Sequence, residues 1–306
     1  MDELPILTIV NSQLYDYAST LQYAVQSDYQ IEEIIVKRFK VLKKSWLKLK
    51  MNKDFDSIWK EYTDAHDELR KNSAQSVRSR WGEVSILNSR SPWKNYSNFD
   101  HETDFPNMLS GEEISYLSWL GSELIKKDDI VVEIGPWLGK STRLLTYGKD
   151  FRRKILTIDD FIWRSIWMDP YVAIKQKPNN HESFLELFRS LNKDYLGYFE
   201  ILQRRLNVYD GNEDVQALNS KDLPPQIDVL FVDCGRTIEV NEAWWQIIEP
   251  LLIPGESLIV MQDWRLWRES PQKHYNQTLF FTQSHSQNLR PIHEVEVGGL
   301  AAFLYV

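Results

Sequence analysis

Cysteine is nearly absent from this chain. Cys234 is the one copy among 306 residues, which excludes an intramolecular disulfide and points to a reducing compartment. Long apolar runs are missing too, since none approaches the roughly 18 residues that a membrane span needs. The opening Met-Asp-Glu-Leu-Pro-Ile-Leu-Thr-Ile-Val has neither the basic leader nor the extended apolar segment of a secretory signal. The expectation is a cytoplasmic protein with no membrane partner. Positive charge is also in short supply. The net charge is −8, and it is unevenly placed: residues 1–100 carry 15 Lys+Arg against 14 Asp+Glu, which leaves 21 against 30 for the rest. An acidic C-terminal part lacks the basic footprint that phosphates want, so nucleic acid is not an expected partner. No internal repeat is visible.

What is present is an ordinary globular composition, 42% apolar and 26% charged, with chain enough for a sizeable core. Residues 1–104 read as a mostly helical region and linker. Ile31, Ile35, Phe39, Leu42, Trp46 and Leu49 recur at helical spacing and form one apolar stripe. A second helix starts at the candidate N-cap Asp54 and runs through Phe55, Ile58, Trp59, Tyr62 and Leu69. Such stripes can bury each other or form a homodimer contact. Residues 72–104, rich in Ser, Asn and Arg, read as a linker or loose wrap.

From Gly111 the texture changes. A helix over 113–125 precedes a buried strand at 129–135, and strands then alternate with helices. Strands are expected at 154–159, 198–202, 227–233 and 257–261, with helices from 141, at 182–191, at 212–218 and at 240–252. Two apolar strands, 293–297 and 300–306, close the chain around Gly298-Gly299, giving one antiparallel edge. This order predicts an α/β fold, a doubly wound and mostly parallel seven-stranded sheet.

In such a sheet ligands sit beyond the carboxyl ends of the strands. The first strand ends Glu133-Ile-Gly135-Pro-Trp137-Leu-Gly139-Lys-Ser141-Thr142. Its glycines let backbone approach a ligand, and Ser141 or Thr142 can cap the next helix. Two ligand classes compete. A phosphate loop with Lys140, as in a nucleotide hydrolase, needs four residues between its glycines, and this turn has three. Glu133 is out of place beside a triphosphate and suits a cation such as the sulfonium and ammonium groups of S-adenosylmethionine. The second strand ends Asp159-Asp160, where a nucleoside-binding sheet places a carboxylate for the ribose hydroxyls.

The run from Glu133 to Thr142 resembles the glycine motif of class I S-adenosylmethionine-dependent methyltransferases, in particular the catechol-type and macrocin-type O-methyltransferases. Phe105-Pro-Asn-Met-Leu-Ser is similar to a segment preceding that motif in these relatives. The resemblance covers 105–306. It implies a Rossmann-like methyltransferase domain there and S-adenosylmethionine as methyl donor. Donor contacts are implied for Glu133, Gly135, Gly139, Ser141 and Asp159, with Trp137 and Asp160 in the same two strand-end turns.

In metal-dependent relatives, carboxylates at the fourth and fifth strand ends hold a divalent cation such as Mg2+ that acidifies the acceptor hydroxyl. Asp233 and Asp263 stand at those ends. Two departures count against the transfer: Trp264 occupies the place of a further oxygen ligand, and Arg236 stands where a general base is used, although it does not give up a proton near neutral pH. The alternative is that both aspartates orient substrate or cap helices. The catalytic candidates are Asp233, Asp263 and Arg236, with Asp233 the leading base and His101, His181 and His274 in reserve.

Trp163, Trp167, Trp264 and Trp267 follow the second and fifth strands and suggest a platform for a flat or sugar-like acceptor. The competing expectation is that they cover the sheet edge or pack against the N-terminal helices. Arg164, Arg265 and Arg268 are placed to meet an acidic group on the acceptor. The expected activity is O-methylation of a small molecule, a sugar or natural-product intermediate. Its rival is an accessory module that keeps the cofactor pocket with little turnover.

Overall fold

The structure is a computed structural model describing residues 60, 64, 79–82, 91–96, 105–172, 177–234, 236–265, 277–295 and 297–306. The expected N-terminal helical stripes, Trp267, Arg268, His101 and His274 lie outside the described residues.

Seven strands form one sheet: β1 (Val131–Ile134), β2 (Ile155–Asp159), β3 (Phe199–Gln203), β4 (Val229–Val232), β5 (Leu258–Met261), β6 (Leu289–Glu294) and β7 (Ala301–Tyr305). Their order is β3-β2-β1-β4-β5-β7-β6. β1, β4 and β5 are buried at every position, and apart from Glu133 in β1 they show the continuous apolar pattern of parallel strands covered on both faces. β7 runs antiparallel to both β5 and β6. The antiparallel strand is therefore inserted next to β5 and not added as an edge. β6 starts earlier than its expected 293–297, because Leu289 and Ile292 supply its buried side chains.

Six helices are described: α1 (Gly111–Trp119), α2 (Lys140–Thr146), α3 (Ser165–Met168), α4 (Leu185–Leu191), α5 (Ile238–Ile248) and α6 (Gln277–Ser284). α1 begins with a capping box in which Ser110 and Glu113 satisfy each other's amides. It runs on into a π turn at Leu120–Leu124. Trp244, Trp245, Ile248 and Phe281 of α5 and α6 pack on one sheet face. Tyr116, Leu117, Leu144 and Leu145 of α1 and α2 pack on the other. This is a doubly wound, Rossmann-like architecture.

The helix expected at 212–218 does not form. Asn212 turns its side chain back to accept from the Tyr209 amide (2.7 Å) and donates Nδ2 to Asp160 (2.6 Å). Asn side chains compete with the helix backbone in this way. The chain then lies parallel to Arg205 at Ala217 and makes only a short 3-10 turn at Ser220–Asp222.

The described pieces of the expected linker are not loose. Trp81 and Trp93 are buried in the same cluster as α1 and α2. The Trp81 indole donates to the Glu256 carbonyl (2.5 Å), and Arg80 grips Asp129 with one nitrogen at 3.0 and 2.8 Å. Glu256 and Asp129 precede β5 and β1, so this strap lies at the end of the sheet opposite the carboxyl ends.

Candidate active site

The sheet register brings the candidate residues together. Ile134 pairs with Ile158 on one side and Val232 on the other, so Gly135, Asp159 and Asp233 follow at the ends of three adjacent strands. The Gly135 amide donates to the Ile158 carbonyl (2.9 Å) and the Asp233 amide to the Ile134 carbonyl (2.8 Å). Val232 pairs in turn with Met261, which sets Asp263 two residues beyond β5. The chain leaves β1 through β2 and β3, then returns on the other side at β4. That reversal opens a crevice at the carboxyl ends, the usual ligand position in such sheets.

The turn after β1 is shaped by protein contacts. A Cβ at Gly135 (φ +85°) would fall 2.4 Å from the Asp233 carbonyl oxygen. One at Gly139 (φ +98°) would fall 2.8 Å from the Asn192 side chain. Both glycines are thus required by neighbouring chain, where the sequence suggested close approach to a ligand. Trp137 adopts φ +44° between them, a strained conformation for a bulky residue, costing of order 1–3 kcal/mol. Its buried Nε1 has no hydrogen-bond partner among the described residues.

Ser141 and Thr142 do not cap α2, whose N-cap is Gly139. Their hydroxyls point inward and donate to the two Glu133 oxygens, both at 2.5 Å, and Thr157 adds a third donor at 3.2 Å. Glu133 is fully buried. Burial raises its pKa, and the three hydroxyls counter the rise. Glu133 and Ser141 are therefore bonded to one another beneath the turn, where they fix its shape.

Asp159 and Asp160 have different surroundings. Asp160 takes Arg164 through both terminal nitrogens (3.1 and 2.8 Å), Asn212 Nδ2 (2.6 Å) and the Ile162 amide (3.0 Å). Asp159 accepts the Phe161 amide at Oδ1 (2.6 Å) and shares a side-chain hydrogen bond with Asp160. Burial, then the Asp160 charge, pushes its pKa well above the ordinary 3.8. The ion pair also takes Arg164 out of the set expected to meet an acidic acceptor.

Across Gly135, Asp233 makes no side-chain hydrogen bond among the described residues. Burial, then the Asp263 charge, raises its pKa well above 3.8, while Arg236 pulls it back. Arg236 Nε donates to Asp263 Oδ2 (2.7 Å), and the Asp263 charge is the main reason its pKa is raised. Cys234 lies between these carboxyls. Burial, then Asp159, holds its thiol well above the usual range, so it is no thiolate nucleophile. Tyr209 closes the β3 side, with Arg164 5.4 Å over its ring and burial pushing its hydroxyl up to about 12.

Sequence reasoning missed Glu113. Its carboxyl accepts the Ser110 amide (2.6 Å), Gln262 Nε2 (2.6 Å) and the Gly299 amide (2.7 Å), tying α1 to the β5 end and the β6–β7 hairpin. Burial pushes its pKa to about 7. The Ser110-x-x-Glu113 spacing was the available signal.

The tryptophan platform is corrected. Trp163 is fully buried, with Nε1 donating to Asp169 (2.8 Å). Trp264 is equally enclosed, with Nε1 donating to Thr282 (2.7 Å) and its ring against Phe303. Trp167 remains at the surface, 56% exposed. Arg265 is buried against Glu294 (2.8 Å) and does not face the crevice. His181 is exposed and packs on Gly211.

No protein-family model and no curated protein matches the chain. Among solved structures it is similar to the O-methyltransferase TomG of Streptomyces achromogenes, involved in tomaymycin synthesis and solved with S-adenosylmethionine. That pair shares 15% identity over 65% of this chain and 81% of that one, with a TM-score of 0.42. CalS11, a TDP-rhamnose 3'-O-methyltransferase of calicheamicin biosynthesis, shares 13% over 79% and 93%, with a TM-score of 0.38. An O-methyltransferase from Bacillus cereus, solved with S-adenosylhomocysteine, shares 12% over 86% and 97%, with a TM-score of 0.37. The chain resembles the class I S-adenosylmethionine-dependent methyltransferases. Among the described residues no helix is long and apolar enough to cross a membrane.

Proposed function

We propose that the chain is an S-adenosylmethionine-dependent methyltransferase that acts on a hydroxyl oxygen of a small molecule. The observation that carries this reading is the pair of carboxyls, Asp159 and Asp233, level with each other on either side of Gly135 at the topological switch. Asp159 stands at the β2 end where a ribose diol would be held, and the buried Trp137 Nε1 has no acceptor among the described residues. The carboxyls around the crevice set up a negative potential that favours a cationic donor over a nucleoside triphosphate.

Bound there, the donor would supply an electrophilic methyl on sulfur, which leaves with both bonding electrons as a thioether when the new oxygen–carbon bond forms. The chain's own part is alignment and proton removal. Asp233 is the base: a desolvated carboxylate with a raised pKa is a better proton acceptor than an exposed one. Arg236 counters part of that rise and Asp263 keeps Arg236 in place.

Titrating the purified protein with S-adenosylhomocysteine by isothermal calorimetry tests the reading. Micromolar binding that an Asp159→Ala variant loses is the expected result, and an inert wild type would overturn it.

A further inference from the structure

The crevice holds a positive charge where the metal-dependent relatives would hold a metal. Arg236 is anchored at Nε by Asp263 Oδ2 at 2.7 Å, which leaves its two terminal nitrogens uncommitted to hydrogen bonds among the described residues. Asp233 and Tyr171 are the other groups within its electrostatic reach. The side chain stays 38% exposed, so it is not sealed in the core.

The donor set does not fit a divalent cation. Mg2+ asks for near-octahedral oxygen, usually one or two carboxylates completed by waters and substrate. Here one Asp263 oxygen already accepts a charged N–H, and a guanidinium next to the site repels a second cation. The position that should add an oxygen is Trp264, whose indole is buried and committed to Thr282. Among the described residues no group of three or more His, Cys, Asp or Glu is arranged to hold a metal. Instead the guanidinium itself supplies positive charge beside the two carboxyl groups.

We infer that Arg236, tethered by Asp263, occupies the divalent-cation position of this crevice and supplies its positive charge, closing the site to metal. A planar fork of fixed charge suits this better than lysine would, because one nitrogen can be spent on the tether while the others face the ligand. The role facing an acceptor oxygen rests on the methyl-transfer reading; the exclusion of metal does not.

The test is calorimetric titration of the full chain with Mn2+ alone, beside Arg236→Met, Arg236→Lys and Arg236→Met/Asp263→Asn. S-adenosylhomocysteine binding and a thermal melt check that each variant is folded. The wild type and Arg236→Lys should give no Mn2+ binding at millimolar metal. Arg236→Met should gain one site, and the added Asp263→Asn should remove it again. Stoichiometric Mn2+ binding by the wild type that Asp263→Asn abolishes would overturn the inference. So would a folded Arg236→Met that takes up no metal. If S-adenosylhomocysteine fails to bind while the Mn2+ pattern holds, the methyl-transfer reading falls and the metal exclusion stands.

Discussion

The Trp81 indole nitrogen donates to the carbonyl oxygen of Glu256, a residue 175 positions later, at 2.5 Å. The contact fastens a segment that precedes the sheet to its amino end, far from the carboxyl-end crevice. Trp81→Ala should therefore cost about 3–5 kcal/mol of stability, as removal of a buried tryptophan does. Donor affinity measured below the lowered melting point should be unchanged. A matched loss of affinity would mean the strap reaches the site.

Asp159 and Asp160 are neighbours in sequence with opposite expected phenotypes. Asp160→Ala strands the Arg164 guanidinium and the Asn212 amide, and should destabilise the protein by about 3 kcal/mol. Asp159→Ala removes a carboxyl with one backbone donor and should leave the melting point nearly unchanged while abolishing S-adenosylhomocysteine binding. Calorimetry and thermal melts of the two variants side by side separate these effects.

Glu113 predicts an unusual pH dependence. Its folded pKa is about 7 against an ordinary 4.5. A carboxyl raised on folding adds stability that is complete below the unfolded value and is lost as pH rises through the folded one. The loss is of order 3 kcal/mol at most. The melting temperature should fall between about pH 4.5 and pH 7, and Glu113→Gln, which has no proton to lose there, should flatten that slope. An unchanged slope would assign the titration to another buried acid, with Asp159 and Asp233 first in line.

The Glu133 cradle gives a further expectation. Thr142→Val removes one donor to a fully buried carboxylate and should cost about 1–3 kcal/mol. Thr142→Ser should recover most of it. Donor affinity of the valine variant should drop as well, because the turn bearing Trp137 and Gly139 is braced through Glu133.

Sequence patterns carry the parts of this protein whose cause is local. Val229–Val232 and Leu258–Met261 are apolar throughout, and Val131–Ile134 at every position but Glu133, because both faces are covered, so their runs read directly as central strands. Asp159, Asp233 and Asp263 are legible because a strand end is a place in the chain. Partnership is not legible in the same way. Arg236 meets Asp263 only because β4 and β5 are adjacent, and Asp160 takes Asn212 across 52 positions, the contact that helps replace the expected helix by a turn. Trp163 and Trp264 misled for a related reason. A tryptophan after a strand can face the crevice or fold beneath its own loop, and hydrogen-bond partners at Asp169 and Thr282 decided for the second.

The inserted strand β7 has a consequence for the making of this protein. β5 emerges from the ribosome with its apolar edge bare, and its partner β7 ends 44 residues after β5, about 2–9 seconds later at usual synthesis rates. During that interval Leu258–Met261 is an unpaired edge of the kind that recruits other chains. Newly made copies on a polysome are then the population most exposed to aggregation, and chaperone demand should concentrate in that short window of translation.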